Sequence, residues 1–121
     1  MVNMMKALVF TAPHTFEYRD VPRPEPAPDE VLVEVKACAI CGSDVHGSSG
    51  ENGRRIPPLV MGHEASGTIA QLGEAVQSWA VGDRVTFDST EYCGHCWFCT
   101  HGMHSLCAQR RIVGVACTEY R

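Results

Sequence analysis

Glu30-Val31-Leu32-Val33-Glu34-Val35-Lys36 is the stretch from which the fold is read. Val31, Val33 and Val35 alternate with Leu32, Glu34 and Lys36, and a period of two rich in β-branched side chains predicts a strand. The run continues through Ala37-Cys38-Ala39-Ile40 and stops at Cys41-Gly42. Upstream, Pro22, Pro24, Pro26 and Pro28 make a stiff extended connector, which is neither helix nor central strand. Before it, Lys6 to Phe10 and Phe16 to Val21 are short apolar and aromatic runs between turn residues, hence two more strands. Downstream, residues 42–58 hold four glycines, three serines and two prolines. They are expected to be loop, with one helical turn after Ser43. Gly67 to Leu72 and Asp83 to Phe87 are further strands, and Ile112 to Ala116 begins a last one. Many short strands between Gly and Pro turns predict a mostly β fold, a small barrel or sandwich.

The 121 residues suit one domain. With 45% hydrophobic and 20% charged residues the chain has a globular composition, which excludes disorder. Its net charge is -4, and basic residues cluster only at Arg54-Arg55 and Arg110-Arg111. Nucleic-acid binders need a basic face to neutralise phosphates, so no nucleic-acid partner is expected. The apolar run from Met1 to Phe10 breaks at Thr11 and Pro13, too early for a signal peptide or a membrane span. A cytoplasmic protein with no membrane partner is expected. In a reducing compartment its seven cysteines are metal ligands in preference to disulfides.

Four of them stand in Cys93-Gly-His-Cys96-Trp-Phe-Cys99-Thr-His-Gly-Met-His-Ser-Leu-Cys107, spaced C-x2-C-x2-C-x7-C. The segment has no usable periodicity, but four thiolates so close together can wrap a tetrahedral zinc, which then serves as the core of the loop. Three alternatives stand beside this. An iron–sulfur cluster shares the first three cysteines, but expects the fourth after three residues, followed by Pro. One of His95, His101 or His104 can replace a cysteine. Four buried free thiols are the third alternative.

A second constellation combines Cys41-Gly42-Ser43-Asp44-Val45-His46 with Gly62-His63-Glu64. Alone, a cysteine at a strand end is usually a small core residue and a His-Glu pair is usually surface. Together they offer one thiolate, one imidazole and one carboxylate, short of a closed shell of four, as catalytic zinc requires. Asp44 is placed to orient the His63 imidazole. Ser43 and His46 are polar groups in a turn set against the metal. Other chemistries fail on spacing. His63-Glu64-Ala65-Ser66-Gly67 is not H-E-x-x-H, and Tyr92 rather than Pro precedes Cys93, as a zinc deaminase would not have it. No two glycines are separated by a single residue, so the G-x-G-x-x-G dinucleotide fingerprint is absent. Neither lysine follows a glycine, which excludes a P-loop.

These motifs, with Gly82-Asp-Arg-Val85 between them, occur in the order and spacing of a known family. From Lys6 to about Val115 the chain resembles the N-terminal domain of zinc-dependent medium-chain alcohol and polyol dehydrogenases, most closely the sorbitol and threonine dehydrogenase branch. The resemblance implies a GroES-like small β-barrel over residues 1–121, truncated, carrying a structural-zinc lobe at about residues 90–110. The Rossmann domain that follows in the family is absent from this chain. It implies that Cys41 and His63 bind catalytic zinc, with Glu64 as ligand or just behind the metal. Ser43 and His46 match a proton relay, Asp44 the carboxylate that orients the histidine, and Cys93, Cys96, Cys99 and Cys107 the structural zinc.

The implied chemistry is oxidation of a small alcohol or polyol. Zinc lowers the alcohol's pKa, Ser43 takes the proton, His46 passes it outward, and hydride goes to NAD or NADP. The full-length enzyme is expected to be a homo-oligomer, and this chain to be an enzyme fragment that is inactive by itself. The competing function is a stand-alone zinc-binding module that docks a protein partner. It has no reason to carry the second constellation. Of the remaining cysteines, Cys38 is expected to be a small core residue of its strand, although Cys38 and Cys41 also form a C-x2-C pair. Cys117 has no assigned role.

Overall fold

The computed structural model describes residues 3–115. Strand β1 (Met4–Ala12) turns through Pro13-His14 into β2 (Thr15–Pro22), antiparallel, in a register that sets Phe10 opposite Phe16. The pleat of β1 turns Ala7 and Val9 inward and Lys6 and Leu8 outward. Ala7 and Val9 join Val21 in a core cluster, against which Met5 and Val60 pack. Phe10 is fully buried, with its ring 5.4 Å from that of Phe16. Each such Val or Phe stabilises the fold by roughly 1.5–3 kcal/mol. Strand β4 (Leu59–Val60) pairs with the other edge of β1, in the order β2-β1-β4. It lies just beyond the expected loop and is too short to show a period.

The second sheet runs β3 (Val31–Cys38), β5 (Ala65–Leu72) and β6 (Arg84–Thr86), in the order β3-β5-β6, with both pairings antiparallel. The alternation that defines β3 does not become a buried face. Val31, Leu32 and Val33 are all half-buried, and Val35 is 54% exposed. The ladder to β5 also has two irregularities, an extra residue on β5 opposite Leu32/Val33 and one on β3 between Val35 and Ala37. The ladder to β5 defines β3 more than burial does. Cys38, expected as a core residue, ends the strand exposed.

Helix α1 (Gly42–Ser48) follows, longer than the single turn expected there. The cysteine-rich segment is clamped by a two-stranded ribbon, β7 (Thr90–Glu91) against β8 (Arg111–Ile112). Between them lie α2 (Trp97–Thr100) and a short 3-10 turn, His104–Leu106. Of the strand expected from Ile112 to Ala116 only Ile112 lies in β8; Val113, Gly114 and Val115 form a turn, with Gly114 at φ +72°, and Ala116 and Cys117 lie outside the described residues. No helix among the described residues is long and apolar enough to cross a membrane.

Candidate metal centres

The four cysteines of the lobe converge, and their sulfurs lie within 4.8 Å of one another. Cys93 and Cys99 are separated by 3.9 Å, Cys96 and Cys99 by 3.5 Å. A tetrahedral shell with Zn–S near ~2.3 Å needs sulfurs about 3.8 Å apart, so the spacing fits zinc. The donor set fits as well, being four soft ligands with no open position. The surroundings divide the thiols. Backbone N–H groups of His95 and Cys96 hold Cys93 down at about 6, while burial pushes Cys99 up to about 12. A cation collecting all four must therefore release protons, Cys99's above all. The nearby histidines are engaged elsewhere. His95 Nδ1 lies 2.8 Å from the Cys93 carbonyl oxygen, His101 stacks on Trp97, and His104 stacks on Tyr92 at 3.9 Å.

The second centre is built by the β3–β5 ladder. Cys38 pairs with Ala65, and one step on the Ala39 N–H donates to the Glu64 carbonyl at 2.9 Å. That extension carries Cys41, two residues further, alongside His63. Cys41 is the N-cap of α1, and Asp44 at the third helical position reaches back to accept the Cys41 N–H at 3.1 Å. Gly62 has φ +126°, which only glycine adopts without strain, and a Cβ there would lie 3.0 Å from Cys38 Sγ. Ligand atoms of Cys41, His63 and Glu64 come within 4.8 Å of one another. Three donors leave a tetrahedral cation one open position. A cleft of about 570 Å³ runs past His63 and Glu64 to Thr86 and Phe87.

Around this cluster the polar groups are shared closely. Ser43 Oγ donates to Cys41 Sγ at 3.3 Å and lies 3.4 Å from His63 Nε2, so Nε2 is the ring atom that faces the thiol. His63 Nδ1 points the other way, 3.4 Å from Asp44 Oδ1, but too obliquely for a hydrogen bond, and it is buried without a partner. Asp44 is itself buried and takes a 2.9 Å ion pair from Arg55. His46 is exposed on α1 and makes no hydrogen bond to Ser43. Arg55 is the residue that sequence reasoning missed. It was legible only as half of a basic pair, yet Arg54 is exposed and Arg55 is 4% exposed. Nothing in the local pattern separates the two.

Residues 27–121 match the model of the alcohol dehydrogenase GroES-like domain. The chain is 44% identical over 119 residues to an L-threonine 3-dehydrogenase of Rhizobium etli, covering 95% of this chain and 34% of that protein. It is 42% identical over 113 residues to a sorbitol dehydrogenase of Halalkalibacterium halodurans, covering 91% of this chain and 33% of that protein. A cobalt- and zinc-bound thermostable alcohol dehydrogenase from Pyrobaculum aerophilum superposes with a TM-score of 0.87 at 27% identity, over 97% of this chain and 37% of that one. The chain thus spans about a third of the length of the curated relatives it matches.

Proposed function

Since the chain belongs to the alcohol dehydrogenase GroES-like domain family, we propose that it supplies the metal-bearing catalytic part of a zinc-dependent dehydrogenase acting on a small alcohol or polyol. The observation that carries this is the pairing of two unlike clusters, one closed and one open beside a cleft. A structural zinc needs only the first. In this proposal Cys93, Cys96, Cys99 and Cys107 hold structural zinc, and Cys41, His63 and Glu64 hold catalytic zinc.

Bound there, zinc supplies Lewis acidity that lowers the pKa of an alcohol hydroxyl. The chain's own groups then do the rest. Ser43, between Cys41 Sγ and His63 Nε2, receives the hydroxyl proton. Asp44 stands behind the ring, its Oδ1 3.4 Å from His63 Nδ1 without a hydrogen bond, and Nε2 is the nitrogen left towards Ser43 and Cys41. His46 stands exposed one helical turn beyond Ser43, so a proton moving between them crosses solvent. The hydride goes to NAD or NADP held by a partner unit, because hydride transfer requires close positioning and no glycine-rich phosphate loop occurs in these 121 residues. Alone, the chain does not turn over.

Metal stoichiometry tests this directly. Zinc supplied in excess should load two metals per chain, and a graded chelator should strip one far more readily than the other. A single metal would favour the stand-alone zinc module. That second reading draws on the apolar surface of the lobe, where Trp97 is 61% exposed and Leu106 is 55% exposed. Turnover of any alcohol by the isolated 121 residues with NAD or NADP would sink the claim that a partner unit is needed.

A further inference from the structure

Arg55 lies behind the second cluster and is neither a candidate ligand nor a proton carrier in the path above. Its side chain is 2% exposed, so water does not compete for its contacts. One guanidinium nitrogen donates to two groups, Asp44 Oδ1 at 2.9 Å and Ser43 Oγ at 3.2 Å. The Asp44 oxygens are divided between the two candidate ligands. Oδ2 accepts the Cys41 N–H at 3.1 Å and Oδ1 faces His63 Nδ1 at 3.4 Å. Rotation of that carboxylate would disturb both at once.

We infer that Arg55 is a positioning residue of the second cluster: it fixes the Asp44 carboxylate and the Ser43 hydroxyl in the orientation in which Cys41 and His63 present their ligand atoms to one cation. This rests on the assignment of Cys41 and His63 as metal ligands above. Arginine is a donor only, so the Ser43 oxygen accepts from it and the Ser43 proton is left to point at Cys41 Sγ. A lysine can donate to both groups from one nitrogen, but its ammonium is more strongly hydrated and sits on a flexible stem, so burial costs it more and holds it less firmly than the rigid guanidinium. The helix is built around this side chain. A Cβ on Gly47 would lie 2.5 Å from Arg55 Cδ and 2.7 Å from Nε, so the arginine passes where α1 carries no side chain. Arg55 Nε is buried with no hydrogen-bond partner, a cost accepted for the sake of the other nitrogen's contacts.

The test is zinc affinity by chelator competition on the 121-residue chain, together with the visible absorption of a chain whose labile site carries cobalt(II). Arg55→Gln should weaken the labile metal by about 10–100-fold, as loss of an orienting partner typically does, and shift the cobalt bands while the resistant metal is unchanged. Arg55→Lys should restore only part of the affinity. Gly47→Ala keeps the arginine but puts a methyl group in its path, and should move both readouts in the same direction. Unchanged labile affinity and an unchanged cobalt spectrum in Arg55→Gln and Gly47→Ala would overturn the inference, as would complete rescue by Arg55→Lys. If Arg55→Gln does not fold, Gly47→Ala and Arg55→Lys decide by the same criterion. A wild-type chain that takes up one metal overturns the second-site assignment and this inference with it. Two metals in wild type with no response in the variants overturns the inference alone.

Discussion

The two candidate metal centres are made in opposite ways. The lobe draws all four ligands from one fifteen-residue segment, entered and left through the β7–β8 ribbon. Its buried apolar residues are two of the ligands themselves, Cys99 and Cys107. The second centre draws its ligands from just beyond β3 and just before β5, and depends on the register of a sheet whose strands do not contain them. A local site stands or falls with its metal. A site assembled by tertiary structure stands with the fold and can lose its metal without losing its shape.

The largest expected effect breaks the local site. Cys99→Ser removes one thiolate from a site whose apparent binding energy is of order 10–16 kcal/mol for structural zinc. The resistant metal should be lost, and amide exchange should show residues 90–110 unprotected while β1, β2 and β5 keep their protection. Uniform loss of protection along the chain would mean that the lobe is not separable, and the contrast drawn above would fail. The mirror experiment is His63→Ala or Cys41→Ser. Either should weaken the labile metal by at least about 100-fold, beyond what loss of an orienting partner costs, with the lobe metal and the far-ultraviolet circular dichroism spectrum unchanged.

A third substitution separates shape from metal. Asp44→Ala leaves the Arg55 guanidinium buried and uncompensated, which should cost roughly 3–5 kcal/mol in urea unfolding even with metal removed. No comparable cost is expected when Lys6→Ala breaks the exposed Lys6–Asp20 pair, worth at most about 1 kcal/mol. The smallest effects sharpen the comparison. Ser43→Ala should change labile-metal affinity only a few-fold, because its hydroxyl touches the ligands without supplying one. His46→Ala should change neither metal, since its ring is exposed and unlinked to the cluster. A large loss of labile metal in His46→Ala would show the imidazole to be a ligand.

Much of this was legible before the fold was known. The strands β1, β2, β3, β5 and β6 lie where periodicity and turn residues placed them, with ends differing by one to a few residues, as frayed strand ends do. The two-residue strands β4 and β7 were not, because a period of two cannot be seen in two residues. The burial of β3 was misleading. Its alternation is real, but alternation sets which residues share a face and not whether that face is covered: Val33 is half-buried and Val35, two residues on, is exposed. Cys38 illustrates this, being apolar in type and exposed in place.

By itself the order of amino acids determined the four-cysteine cluster, since ligands fifteen residues apart at most need only a flexible loop to meet around a cation. It also determined that the fold is mostly β and that no dinucleotide fingerprint lies within these residues. That Cys41 and His63 share a site was implied by the family resemblance and not by any period in the sequence; only the tertiary structure decided that Ser43 faces both while His46 does not, and that of two adjacent arginines Arg55 is enclosed. The physical reason is range. Ser43 and His63 are 20 residues apart, and Arg55 and Asp44 are 11 apart across an irregular loop. Over such distances no helical or strand period links one residue to another, and only the pairing of β3 with β5 and the path left open by Gly47 bring them together.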